Sequence, residues 1–311
     1  MNSTMLKADT YVEVFARNFT IVFLGIIINS INGVFVLTFF KSSIFYNDPR
    51  YILYIHLVIN DMLMVFITIV LSVMAYAWPN VPLPFCIILL MIASTTHKNT
   101  PLTLAGMAIE RYIAICKPLH HPQICTIRRT YILISLILGV GVLPNLADLI
   151  VFSILRTLPI FTRVLCSSPN LYNTPYHEQQ SKLTHGIYTS AVWLILVFTY
   201  CKVLVTARRA NTDKSSAKKA QSTILLHGVQ LMLCMLSYIT PVIDRIYAPL
   251  TPALRTKITF LNYLLTNLLP RLLSPLIYGV RDKHFFKSIK RIISCRFVIV
   301  KVKPTCSKIL K

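Results

Sequence analysis

With 311 residues, 55% of them hydrophobic and 14% charged, the chain carries about half the charge expected of a soluble protein of this size. Its formal charge of +22 raises the question of nucleic acid, and the placement of the basic residues excludes it. Of 32 Lys and Arg, 22 gather on one side of a membrane topology, where they orient the chain and attract the lipid bilayer.

Seven apolar blocks are long enough to cross a hydrocarbon core of roughly 30 Å: 19–40, 52–76, 86–110, 130–155, 183–206, 221–247 and 257–280. They predict an all-α, seven-transmembrane helix bundle with the N-terminus outside. The basic-amphipathic stretch from Asp282 to Ile293 predicts a short eighth helix lying along the membrane. Residues 1–18 are expected as an extracellular tail, 19–280 as the bundle and 281–311 as a cytoplasmic helix and tail. The tail lacks the apolar core of a cleaved signal, so the first span serves as its own anchor. It holds two sequons, at Asn2 and Asn18, which are candidate glycosylation sites or chance.

The first two spans carry Asn32 and Asp61. A carboxylate in mid-membrane costs several kcal/mol unless it pairs, hydrates or binds an ion. Asp61 is therefore either protonated and structural, or part of a switchable, sodium-linked cluster with Asn29, Asn32 and Ser274.

In the third span, Cys86 and Arg111 are about 37 Å apart along a helix. One helix thus holds a thiol at the outer face and Glu110-Arg111-Tyr112 at the inner face. Between them Ser94, His97, Lys98 and Pro101 share a side at three-to-four spacing. They either line a cavity or tie helices together, with Lys98 paired to Asp148. Of eight cysteines only Cys86 and Cys166 fall on the outer side of this topology, which reads as one disulfide. The stretch Ser153 to Lys182, broken by Pro159, Pro169 and Pro175, is expected as a long outer loop. Pro241 and Pro275 mark bending points in the last two spans, and Cys295 is a candidate for acylation. No metal-spaced cluster, HExxH or GxSxG occurs, so neither a cofactor nor an enzyme is expected; no inverted halves suggest a transporter.

Three stretches resemble one family. Met107-Ala-Ile-Glu-Arg-Tyr-Ile-Ala-Ile-Cys-Lys-Pro-Leu119 is similar to the odorant-receptor signature MAYDRYVAICxPL. Lys219-Ala-Gln-Ser-Thr-Ile-Leu-Leu-His227 resembles KAxSTCxSH, and Leu273-Ser-Pro-Leu-Ile-Tyr278-Gly-Val-Arg281 resembles LNPxIYxxR. Together they identify the chain as resembling class A (rhodopsin-type) G-protein-coupled receptors, and among them the fish-type odorant receptors. The departures are Glu110 for Asp, Ser274 for Asn, and Thr100 where many relatives carry an acid.

The resemblance implies a small-molecule odorant bound in the outer half of the bundle by Ser94, His97, Lys98, Thr184, Tyr188, Tyr238, Val242 and Asn267. It implies coupling to a stimulatory heterotrimeric G protein, raising cyclic AMP, through Glu110, Arg111, Tyr112, Tyr200, Lys219, His227, Pro275 and Tyr278. Asn32, Asp61 and Ser274 would form the polar core, the sixth helix would pivot about Pro241, and the setting would be the plasma membrane of olfactory sensory neurons. Ala93 stands where aminergic receptors keep an Asp, and no Lys lies between Lys257 and Arg271, which argues against amine and retinal ligands. His97 and Lys98 hint at an anionic or hydrogen-bonding ligand; a pair between Arg271 or Lys98 and Asp61 or Asp148 would count against it. The competing reading is a non-olfactory class A receptor for a peptide, lipid or metabolite.

Overall fold

The structure, a computed structural model, describes residues 3–78, 80–155, 162–172, 174–209, 232, 251–281 and 285–291. Six of the seven expected spans fall on these residues. The sixth, 221–247, lies outside them apart from Met232, and with it Lys219, His227, Tyr238, Pro241 and Val242. Asn2 and Cys295 also lie outside the described residues.

The chain runs α1 (Ser3–Lys41), a 3₁₀ turn (Ser43–Asn47), α2 (Pro49–Ala77), β1 (Asn80–Pro82), α3 (Leu83–Cys116), α4 (His121–Ile124) and α5 (Ile127–Leu155). Then come β2 (Arg163–Leu165), α6 (Ser168–Leu171), α7 (Pro175–Arg209), α8 (Pro252–Tyr263), a π-helical turn (Leu264–Leu268) and α9 (Leu269–Arg281). Residues 285–291 form a further short helix, α10. Among the described residues, four helices are long and apolar enough by composition to cross a membrane, within α1, α2, α5 and α7. The polar patch at 94–100 interrupts the apolar run of α3, and the π-helical turn divides the seventh span.

Two boundaries differ from expectation. From Ser3 the N-terminal residues are helical and continuous with the first span. Asn18 therefore sits inside α1, where the Thr20 hydroxyl donates to Ala16 O at 2.8 Å. Glu13 pairs with Lys257 of α8 at 3.1 Å. The outer loop is also shorter than 153–182: α5 continues to Leu155 and α7 starts at Pro175, a residue suited to a first helical turn because its missing N–H has no partner there anyway.

The third helix is the hub, packing against α2, α5 and α7. Small residues let the backbones approach. A Cβ on Gly141 of α5 would run into Asn99 Oδ1 of α3, a side chain that is itself buried, so this crossing favours glycine. At the inner end, Phe285 of α10 is 1% exposed and sits among Phe35, Phe45, Tyr51 and Tyr54, with centroids 4.9–6.0 Å away. Phe285 and Ile289 are buried while Lys287, Lys290 and Arg291 are exposed. That i, i+4 pattern gives the amphipathic eighth helix.

At the outer end β1 pairs antiparallel with β2, Val81 opposite Val164. Cys86 and Cys166 close a disulfide there with Cα atoms 5.5 Å apart. The loop after α5 is thereby fastened to the top of α3.

Candidate functional site

The inner end of α3 presents Glu110, 5% exposed, between Arg111 and His121. Arg111 Nε lies 3.5 Å from Glu110 Oε2, and His121 Nε2 lies 2.9 Å from Glu110 Oε1. His121 begins α4, with Pro122 behind it in the first turn. Tyr112 packs edge-on against Phe198 of α7 at 5.7 Å, and Tyr200, two residues further along α7, is exposed.

Beside this cluster a cavity of about 650 Å³ opens between Asn47–Arg50, Ala114 and the Pro118–Ile127 segment. Asp48 caps α2, accepting from Arg50 N at 2.9 Å and pairing with the Arg50 guanidinium. Burial pushes the Asp48 carboxyl up, but the Arg50 hydrogen bonds outweigh it and hold it below the usual range. Burial, reinforced by Glu110, pushes the Cys125 thiol up against the opposing pull of Arg129, leaving it protonated at neutral pH.

In the bundle core, Thr100 of α3 donates to Asp61 Oδ1 at 2.9 Å and accepts from Asn60 Nδ2 at 3.0 Å. Arg271 Nε lies 3.7 Å from the same Asp61 oxygen, both residues all but inaccessible. Asn32 is fully buried, and its side-chain nitrogen and oxygen have no hydrogen-bond partner among the described residues. The side chain of Asn29 likewise buries an oxygen without one.

Higher up, Asn145 of α5 collects three side chains of α3. It accepts from Lys98 Nζ and Ser94 Oγ, each at 2.8 Å, and donates to Thr95 Oγ1 at 2.7 Å. Above it Asp148 buries a carboxylate oxygen with no hydrogen-bond partner among the described residues. His177 contacts the Asp148 carbonyl oxygen at 3.2 Å. Burial and then Asp148 push Tyr172 up to about 12. These outer groups cover the upper end of α3 and α5.

Similarity to known proteins agrees with this architecture. The profile of the 7 transmembrane receptor (rhodopsin family) matches residues 31–278. Odorant receptor 131-2 of zebrafish (Danio rerio) is 31% identical over 273 residues, covering 87% of this chain and 84% of that protein. The chain belongs to the odorant receptors of the rhodopsin family. Human olfactory receptor 2W1 is 26% identical over 71% of this chain and 69% of its own. Human olfactory receptor 4K17 is 27% identical over 61% of this chain and 60% of its own. The receptor is accordingly a seven-transmembrane, multi-pass membrane protein of a receptor family.

The odorant-receptor frame shows which expected residues meet. Glu110 and Arg111 form a pair, and Cys86 joins Cys166. Lys98 takes Asn145 rather than the expected Asp148, three residues further along α5; the pairing expected from sequence is thereby corrected. Tyr188 donates to Val140 O of α5 at 2.6 Å, and Asn267 donates to Thr266 Oγ1 at 3.0 Å within the π-helical turn. His97 and Thr184 are half-buried on α3 and α7. Pro275 lies inside α9, its carbonyl accepting from Tyr54 Oη at 3.2 Å. Ser274 and Tyr278 lie on the α9 backbone. The Arg271–Asp61 pair counts against the hint of an anionic or hydrogen-bonding ligand drawn from His97 and Lys98.

Sequence reasoning missed Asn145, Thr100 and His121 as partners. Asn145 had a signal: an amide inside an apolar span needs a partner. His121 had none, since its reach to Glu110 depends on the turn at Lys117–His120.

Proposed function

We propose that the receptor binds a small-molecule odorant in the outer half of the bundle and activates a stimulatory, olfactory-type G protein, raising cyclic AMP. The contact set is Ser94, His97, Lys98, Thr184, Tyr188 and Asn267, completed by Tyr238 and Val242. Within it Ser94, Lys98 and Tyr188 place polar groups on α5 and shape the wall. Ligand binding favours the conformation it contacts better and shifts an existing equilibrium. Arg111 then leaves Glu110 and meets the G protein, together with Tyr112, Tyr200, Lys219, His227, Pro275 and Tyr278. The observation that carries this reading is Glu110, buried at the inner end of α3 and held by Arg111 on one side and His121 on the other. Plasma membrane of olfactory sensory neurons is the proposed setting, and glycosylation at Asn2 or Asn18 belongs to the same reading.

The test is cyclic AMP in cells expressing the chain with an olfactory-type G protein, screened against odorant mixtures. Arg111→Ala is expected to abolish the response while surface display is retained. Silence of well-displayed wild-type receptor across odorants, with a response to a peptide, lipid or metabolite, would replace the reading with the non-olfactory one.

The His121 contact makes a separate expectation. A hydrogen bond to a charged group is worth about 1.5–3 kcal/mol, and His121 holds Glu110 in the Arg111-paired arrangement. His121→Ala is expected to raise ligand-free cyclic AMP about tenfold at equal surface display. Unchanged basal signal would show that α4 does not restrain Glu110.

A further inference from the structure

A carboxylate in the middle of a bundle must take a proton, a small cation or a fixed positive charge. Asp61 is 0% exposed. The sequence leaves a sodium-linked cluster open for it, and the residues around it fit that group poorly. The Thr100 hydroxyl is already engaged, donating to Asp61 Oδ1 and accepting from Asn60 Nδ2. Arg271, 1% exposed, brings a guanidinium to within 3.7 Å of Asp61 Oδ1.

The backbone explains how Arg271 arrives there. Pro270 has no N–H, so an α-helix cannot offer a donor to the Thr266 carbonyl. The segment before it is π-helical from Leu264 to Leu268, with the Leu269 N–H donating to Leu264 O. A π-turn inserts one extra residue and rotates the next turn of helix by about 100°. Arg271, on the first turn of α9, then faces α2, where its Nη2 also contacts Met64 Sδ at 3.3 Å. The flanking residues Leu268 and Leu272 pack with Ile28 and Val65 beside the pair.

We propose that Arg271 is the built-in counter-ion of Asp61. The guanidinium takes the place a monovalent cation would otherwise hold between α2 and the seventh span. The tie between these helices is therefore made by the protein itself, and the receptor's conformational stability does not depend on sodium. This rests on the family fold and on the two residues, and a failure to respond to odorants would leave it untouched.

The experiment is thermal unfolding of the full-length receptor, purified in detergent, in sodium chloride against choline chloride at equal ionic strength. Wild type is expected to melt at the same temperature in both, within about 2 °C. Arg271→Gln is expected to melt lower, and to gain a sodium-dependent rise that choline does not give. Where that variant does not fold, Asp61→Asn with Arg271→Gln is the second measurement. Removing both charges is expected to restore melting above either single variant, because no unpaired charge remains. A wild-type melting point that rises with sodium would overturn the proposal. So would a double variant whose loss is the sum of the single losses.

Discussion

Replacing Cys86 by Ser is expected to remove most of the receptor from the cell surface. The disulfide to Cys166 closes a loop of sequence separation 80. In the chain-entropy picture that closure is worth about 4.5 kcal/mol, a large share of the roughly 5–15 kcal/mol that separates folded from unfolded states. The bond does more than shorten the unfolded chain. Cys86 is fully buried, and Val81 and Leu89 pack with Val164 and Cys166 around it. The β1–β2 pairing and the Leu83 N–H bond to Thr162 O at 2.9 Å complete the same outer corner. Without the bond, β2 is held by three residue pairs and a few apolar contacts, too little for an isolated two-stranded ribbon.

Surface labelling of intact cells measures the effect. Cys166→Ser is expected to match Cys86→Ser, and the double variant to be no worse than either, because both single changes remove one and the same bond. A double variant with the summed loss would show that the two thiols act separately. Cys116 and Cys125, which are free, are the controls.

A one-dimensional pattern limits how much of this was legible in the sequence. Apolar blocks report where the chain meets hydrocarbon, so the spans and their order were readable, as were the disulfide and the Phe285–Ile289 face. Helix ends were not. The polar residues from Ser3 to Arg17 continue α1 because nothing in them breaks a helix, yet hydropathy counts them as loop. Partners across helices depend on rotation about each axis. Asn145 and Asp148 are three residues apart, nearly on one face, and only the packing of α3 on α5 selects Asn145 for Lys98. Arg271 is the clearest case: the π-helical turn before it shifts the register by one residue, and a period of 3.6 cannot anticipate that. The coupling motif was legible as residue types, but the hold of His121 on Glu110 needed the turn that folds α4 back beneath α3.

The same selection of Asn145 leads to the second large effect. Asn145 is 5% exposed, and besides its three side-chain partners on α3 it donates to Gly141 O at 3.3 Å. Lys98 beside it is 6% exposed. Asn145→Leu deletes the acceptor and leaves the buried ammonium without it. Losing a single neutral hydrogen bond costs about 0.5–1.5 kcal/mol, whereas stranding a buried charge costs about 3–5 kcal/mol. The second figure governs here, so Asn145→Leu alone is expected to abolish surface display. Adding Lys98→Met removes the stranded charge with a side chain of similar length, and is expected to restore most of the display. The coupling between the two changes should then reach about 3 kcal/mol in a cycle read from thermal unfolding. Because Lys98 also belongs to the proposed contact set, the restored double variant is expected to lose odorant response while keeping its display. A double variant that is displayed and still responds would leave Lys98 only as a tie to α5.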